Sequence, residues 1–400
     1  MTDSSTTPPR ASLRAKGWCP GALRPMVASD GLVVRVRPPG GRLSGEQAQG
    51  LAALALRFAQ PQLELTNRAN LQMRGVQPAQ HAALLDGLRA LGLLDADAAA
   101  EARRNVQVQP LWTQGDPTPV LARELCELLV RDDAPLLPAK FGFVVDTGER
   151  RCLRGALADV RLDRHGDAVL VWADGSDHGR VVTWAEAAPT ALALARWFLA
   201  SGAAPQGRGR MAEWLRCAPL PPEWRSVPVP GVTTATPGPG AQAAGHLLGL
   251  AFGLVQASTL AALGRCGALR LTPWRCLLLE TSGPVPALPD LITDAGDARL
   301  RVAACTGAPG CEQAAATDES TRALALSLAP LVPAGQTLHV SGCPKGCAHP
   351  RATTTVVTTG RGLDLIWQGT ASSQPNRCDL DRPAIERLLQ QPEFPHAAPL

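Results

Sequence analysis

The segment Leu63-Glu-Leu-Thr-Asn-Arg-Ala-Asn-Leu-Gln-Met73 returns in altered form as Leu269-Arg-Leu-Thr-Pro-Trp-Arg-Cys-Leu-Leu-Leu279. Laid side by side without gaps, Leu63, Leu65, Thr66 and Leu71 fall on Leu269, Leu271, Thr272 and Leu277. Such a match is weak alone, but the text before each segment is also alike. Ahead of the first, Leu32 to Val36 alternates as a half-buried strand does. Pro38 to Gly41 then makes a turn, and Ser44 caps a helix with Gln47 three residues on, as in a capping box. That helix is predicted to run to Gln60 and to stop at Pro61. Ahead of the second come a strand-like run, Leu247 to Val255, and a short helix, Ser258 to Leu263. Both repeated segments read as strands. Two β-α-β halves of this kind imply a duplicated scaffold with a pseudo-twofold axis. The fold class is therefore α/β (α+β).

Between the halves, Leu121 to Arg131 reads as a helix and Lys140 to Asp146 as a strand. Val160–Leu162 and Ala168–Trp172 form a hairpin turned at His165-Gly166, and Pro189 to Ala200 reads as a helix with proline in its first turn. Residues 218–240 are rich in proline and read as a linker. Ala241 to Gly264 carries no formal charge and is long enough for a membrane span. Its histidine, glutamine and glycines interrupt the run, and the repeat accounts for it better.

Four cysteines near the C-terminal end carry the strongest chemical signal. Cys305 and Cys311 form a C-x5-C pair, 31 residues intervene, and Cys343 and Cys347 form a C-x3-C pair. Four soft thiolates suit a 4Fe-4S cluster. The glycines and prolines around each pair suit loops that approach an inorganic core closely. Structural zinc sites favour shorter spacing within the first pair, and bacterial ferredoxins pack their cysteines in C-x2-C runs. Thr353 to Thr359 is a β-branched strand following the second pair. His339 and His349 flank that pair and are read either as groups near the metal or as ordinary hydrogen-bonded histidines. The other seven cysteines are scattered, and most of them read as small buried hydrophobes.

The formal net charge is +4, with arginine far ahead of lysine. So small an excess argues against a nucleic-acid binder. Met1 to Pro9 is polar and lacks an apolar signal core. A reduced, cytoplasmic location is expected, with no membrane and no nucleic acid among the partners.

The cysteine spacing resembles the cluster motif of the sirohaem-dependent sulfite and nitrite reductases, in which the last cysteine, here Cys347, also bridges to the tetrapyrrole iron. Three further segments are similar to that family. Thr66-Asn-Arg68-Ala-Asn70-Leu-Gln72 looks like its T-x-R-x-x-x-Q motif, Arg104-Asn105-Val106 like its R-N-V segment, and Pro138-Ala-Lys140-Phe141 like its basic strand. The family uses these cations to hold tetrapyrrole carboxylates and a bound oxyanion. The resemblance thus implies a tetrapyrrole-binding set of Arg68, Arg104 and Lys140, with Arg275 added from the second half. It also implies two ferredoxin-like half-domains, at 17–95 and 241–289. An α/β tetrapyrrole domain would fill 96–217, the linker 218–240, and a cluster domain 290–385, with tails at 1–16 and 386–400. Phe141 and Trp274 would wall the macrocycle. Structural alternatives stay open: Arg68 as a solvated strand-edge residue, Arg104 as a helix-end cation, Lys140 as a snorkelling side chain.

One position departs from the reductases. Where they often carry a second lysine, this chain has Gly142. The N-terminal text, Gly17-Trp-Cys-Pro-Gly21, then Pro25-Met26, then Asp30 to Pro38, resembles the precorrin-3B synthases, relatives of the reductases in aerobic cobalamin synthesis. That resemblance implies an oxidoreductase of monooxygenase type. Precorrin-3A and dioxygen would be its substrates, hydroxylation and lactone formation its reaction, and an unidentified electron donor its partner. The cofactors would be a 4Fe-4S cluster and a mononuclear non-haem iron. The alternatives are a sulfite or nitrite reductase with permanently bound sirohaem, and a non-catalytic electron-transfer or tetrapyrrole-carrier protein.

Overall fold

Ser44 opens the first long helix through a reciprocal pair of bonds. Its hydroxyl accepts the Gln47 N–H at 3.1 Å, and the Gln47 side chain accepts the Ser44 N–H at 2.9 Å. This computed structural model describes residues 19–231, 236–315 and 319–391, so the expected tail at 1–16 lies outside the described residues. The chain divides into two compact units, Cys19–Leu300 and the part from Arg301 onward.

The first repeat contains β1 (Met26–Ala28), β2 (Gly31–Val36), β3 (Arg42–Leu43), α1 (Gly45–Phe58), β4 (Gln62–Leu65) and β5 (Leu71–Val76), followed by α2 (His81–Ala90). The stretch expected as one strand from Leu63 to Met73 is instead a hairpin, with Leu65 opposite Leu71. The Thr66 hydroxyl accepts the N–H groups of Arg68 and Asn70, and Ala69 takes a left-handed conformation with φ 52°. That local bonding turns the chain although the apolar alternation runs on.

The middle region contributes α3 (Ala98–Arg103), β6 (Val106–Val108), α4 (Thr118–Val130), β7 (Phe143–Asp146), β8 (Val160–His165), β9 (Ala168–Ala173), β10 (His178–Val182), α5 (Trp184–Ala200), α6 (Met211–Trp214) and β11 (Val227–Pro228). These strands form one sheet in the order β11-β10-β9-β8-β7-β6. The pairs β6–β7 and β7–β8 are parallel, and the remainder are antiparallel. Leu121, Leu125 and Leu129 of α4 and Ala191, Leu194 and Phe198 of α5 share one core with Phe143, Val145, Leu162 and Val171 of the sheet. Three sequence readings change here. Lys140 lies in a turn before β7, closed by the Phe141 N–H on the Pro138 carbonyl. Helix α5 begins at Trp184, capped by Thr183 and Glu186, so Pro189 sits inside it. Within the proline-rich stretch, Leu220 and Trp224 are buried in the same core and Val227–Pro228 pairs with β10.

The second repeat comprises β12 (Gly240–Gln242), β13 (Gly245–Leu250), β14 (Leu254–Gln256), α7 (Ala257–Cys266), β15 (Ala268–Leu271) and β16 (Cys276–Glu280), with β17 (Leu291–Ile292) on β13. Its strand-like run from Leu247 to Val255 is broken by a short turn at Ala251–Gly253, and the strand from Leu269 to Leu279 is again a hairpin. Arg275 has φ 61°, at the position that matches Ala69 in the gapless comparison. The repeats exchange strands. One sheet runs β1-β2-β5-β4-β14 and the other β12-β13-β16-β15-β3. Arg42 from β3 forms a bidentate bond with Glu280 of β16, at 2.8 and 2.7 Å, beside Arg270 of β15. Both repeats bury their leucines in one core, including Leu51, Leu63, Leu71, Leu260, Leu269 and Leu277. Among the described residues no helix is long and apolar enough to cross a membrane.

The unit from Arg301 contains β18 (Val302–Ala304), α8 (Thr321–Leu328), β19 (Leu338–Ser341), β20 (Thr353–Thr358), β21 (Leu363–Gly369), β22 (Arg377–Leu380) and α9 (Arg382–Leu389). Its sheet is β18-β19-β20-β21-β22, parallel through β20 and antiparallel beyond.

Candidate functional site

In the first unit, the turn after β4 delivers Arg68 to the amino ends of β6, β7 and β8. Arg68 is 6% exposed. Its Nη2 donates to the Lys140 carbonyl at 3.0 Å, and among the described residues Nη1 has no hydrogen-bond partner. Burial draws its basicity below the usual guanidinium value; Arg210 adds to that, and Cys19 and Asp159 act against it. Among the described residues no carboxylate hydrogen-bonds to it. The Asp159 carboxylate is already committed, at 2.9 Å to Arg210 Nε, 2.8 Å to the Met211 N–H and 3.0 Å to the Gly142 N–H. A buried cation with an open donor is a ready oxyanion partner.

Gly142 lies beside this cation. A Cβ there would come 2.7 Å from Asn105 Nδ2 and 3.2 Å from Arg68 Nη1. The Asn105 amide is fixed by its 2.8 Å bond to the Phe141 carbonyl. The missing side chain at position 142 therefore leaves room for the Arg68 head. Lys140 is brought to Arg68 through its backbone, and its own side chain is exposed. Phe141 is 1% exposed and packs in the α4–α5 core against Phe143 and Phe198. Trp274 is partly buried and packs against the small cluster of Val144, Cys152, Leu153, Ala156 and Ala158.

Arg104 takes a different position. Its guanidinium donates to Asp95 at 2.6 and 2.8 Å and to the Arg37 carbonyl at 2.7 Å. Burial opposes its charge, but the Asp95 hydrogen bond and charge raise its basicity overall. The pair lines a cavity of about 520 Å³ with Arg42, Trp112 and Cys126. Arg275 sits half-buried at the left-handed turn of the second hairpin, and its carbonyl accepts the Leu250 N–H.

In the second unit, Cys305 follows β18 and Cys343 follows β19, so both cysteine loops leave the carboxyl ends of adjacent parallel strands. The Gly342 N–H donates to Cys305 Sγ at 3.1 Å. A Cβ on Gly342 would lie 2.8 Å from Ala314 Cβ, so the two loops approach closely at this glycine. Burial pushes the Cys343 thiol above its ordinary range, with Cys305 and Cys311 adding to the effect. Cys305, Cys311 and Cys343 also act on Cys347. The two cysteine pairs thus lie on neighbouring loops, and among the described residues no three His, Cys, Asp or Glu groups are arranged to hold a metal ion. His339, fully buried on β19, lies beneath the 343–347 loop with its ring 5.9 Å from that of His349. His349 Nδ1 is 3.0 Å from the Arg351 carbonyl.

Residues 25–91 match the nitrite/sulfite reductase ferredoxin-like half domain. Over 92% of its length the chain is 32% identical to a precorrin-3B synthase from Sinorhizobium sp, covering 85% of that protein. The chain belongs to the precorrin-3B synthase family. The precorrin-3B synthases are enzymes of oxidoreductase type. This family member is also similar in fold to the Mycobacterium tuberculosis NirA protein, with a TM-score of 0.63 and 17% identity over 90% of this chain and 79% of that one. It is thus an α/β protein with the nitrite/sulfite reductase architecture.

Several residues that build the Arg68 site carried no sequence signal. Arg210 and Asp159 stand far apart in a chain full of arginines, and only the sheet brings them together. Asn105 lay inside a recognised motif, but its bond to the Phe141 carbonyl depends on the parallel pairing of β6 with β7.

Proposed function

We propose that this protein hydroxylates precorrin-3A in a dioxygen-dependent reaction and forms a lactone from one of the ring acetates, giving precorrin-3B. The observation that carries this reading is the open, buried guanidinium of Arg68 beside Gly142. A precorrin bears acetate and propionate arms around its macrocycle. Arg68 would take one of them through a charge-assisted bond in a site largely shielded from water. Lys140 would offer an exposed cation nearby, while Arg275 and Arg104 would add contacts. Arg104 would first have to leave Asp95, so its share is the smallest of the four.

Cys305, Cys311, Cys343 and Cys347 fit a 4Fe-4S cluster by donor chemistry, and the Gly342 N–H on Cys305 Sγ is the kind of bond that tunes such a cluster. When bound, the cluster supplies electrons one at a time. For a mononuclear iron the described residues offer no matching ligand set, and none is assigned. The substrate's own acetate supplies the lactone oxygen, and the protein's part is to hold that arm against the neighbouring carbon.

The reductase reading is disfavoured at Gly142. A lysine there would crowd Arg68 Nη1 and the fixed amide of Asn105. The visible spectrum of anaerobically purified protein, with acid–acetone extraction, separates the two. Sulfur-to-iron absorbance without extractable sirohaem supports the synthase reading, because the macrocycle site is then open to substrate. Stoichiometric sirohaem would overturn it.

A further inference from the structure

Two buried hydroxyls hold the cysteine loops through their backbones. Thr321, the first residue of α8, donates through Oγ1 to the Cys305 carbonyl at 2.9 Å. Ser341, the last residue of β19, donates through Oγ to the Cys343 carbonyl at 2.7 Å. Both side chains are buried. The first cysteine of each pair is thus tied to a hydroxyl that neither cysteine motif contains. Thr321 also packs against both loops. A Cβ on Gly307 would collide with Thr321 Oγ1, and one on Gly342 would lie 3.5 Å from Thr321 Cγ2. Helix α8 holds Thr321 firmly, because Ser320 caps it and Leu324, Ala325 and Leu328 are buried.

The Gly342 peptide joins the two loops. Its N–H donates to Cys305 Sγ at 3.1 Å, and its carbonyl accepts the Ala315 N–H at 3.0 Å. The Ala314 N–H in turn donates to the Cys311 carbonyl at 3.0 Å. A peptide whose carbonyl is engaged resists rotation, so the direction in which each cysteine presents its sulfur is set before any metal arrives.

We propose that Thr321 and Ser341 are positioning residues for a 4Fe-4S cluster. Their hydroxyls set the Cys305 and Cys343 sulfurs in place for iron, and Thr321 keeps Cys305 Sγ under the Gly342 N–H. The proposal rests on the reading of the four cysteines as the cluster's ligands.

The test uses the full-length protein, reconstituted anaerobically with iron and sulfide. Decay of the sulfur-to-iron absorbance in excess EDTA gives the rate of iron loss, and redox titration of the same absorbance gives the reduction potential. Far-UV circular dichroism checks that each variant folds. Thr321→Val keeps the side-chain shape without the hydroxyl, and Ser341→Ala removes the other hydroxyl. Each should lose iron about tenfold faster than wild type, the lower end of what an outer hydrogen bond to a metal ligand is worth. Thr321→Val should also move the potential negative, since an N–H bond to sulfur favours the reduced, more negative cluster. Thr321→Ser keeps the hydroxyl and should stay near wild type in both measurements. Ser327→Ala removes a hydroxyl bonded to the Leu324 carbonyl at 2.8 Å, farther along α8, and should change neither. Wild-type rates and potential in Thr321→Val and Ser341→Ala would overturn the positioning role and leave the cluster reading standing. Equally fast iron loss in Ser327→Ala would overturn it too, as a general loosening of the helix. If Ser341→Ala does not fold, the contrast between Thr321→Val and Thr321→Ser decides. A wild type that takes up no cluster removes the cluster reading and this role with it.

Discussion

Arg68 shows how far a residue's role could be read before its surroundings were known. Its motif marked it as an anion contact, but the motif could not show that its guanidinium is buried with one nitrogen open. That depends on the Lys140 carbonyl and on the absence of a side chain at Gly142, both distant in sequence. Arg104 is the opposite case, since an equally good motif match is bonded to Asp95. Arg68→Ala should weaken tetrapyrrole binding by at least about 1 kcal/mol in equilibrium titration, the cost of a lost bond to a charged group. Unchanged affinity would return Arg68 to a structural role. Asp146 offers a pH test. Burial raises its carboxyl from 3.8 to about 6, against the Leu153 and Cys152 N–H groups that favour the charged form. The folded protein then holds a proton that the unfolded chain has released. This group's stabilising contribution is complete below pH 3.8 and is lost as pH rises through about 6. Asp146→Asn should remove that slope, worth up to about 3 kcal/mol, from urea midpoints taken across the window. Parallel curves for both proteins would contradict the assignment.

At the scale of elements, the capped helix α1 and the β8–β9 hairpin were legible because their signals are local. The two repeat hairpins were not, since Thr66 and Thr272 turn the chain with side-chain bonds while the leucine alternation continues. Helix α5 was misplaced at its start because Pro189 drew attention from the Thr183–Glu186 box. Arg275 makes the hairpin turn testable. A non-glycine residue in the left-handed region costs about 1 kcal/mol. Arg275→Gly should therefore raise the unfolding midpoint of the first unit while lowering tetrapyrrole affinity. A loss of both stability and affinity would mean that the arginine is there for packing.

For the whole molecule, the duplication could be seen in the sequence, but the exchange of β3 and β14 between the two sheets could not. Strand order is set by contacts across the repeat boundary, such as Arg42 with Glu280, and neither short segment encodes its partner. The four cysteines were legible as a set because their chemistry is in the residue type. The placing of their two loops at the carboxyl ends of adjacent parallel strands was not. The two compact units lead to a calorimetric prediction. Removing iron with a chelator should lower the unfolding temperature of the unit from Arg301 onward and leave the Cys19–Leu300 transition in place. Replacing any one of Cys305, Cys311, Cys343 or Cys347 with serine should abolish or strongly alter the sulfur-to-iron absorbance, and an unaltered spectrum would remove that residue from the ligand set. The central claim is a dioxygen-dependent reaction on a tetrapyrrole substrate. It is tested most directly by incubating the reduced, iron-loaded protein with precorrin-3A under isotopically heavy dioxygen and weighing the product by mass spectrometry. The account predicts a lactone product carrying a single heavy oxygen. Unchanged precorrin-3A, together with reduction of sulfite or nitrite by the same preparation, would contradict it.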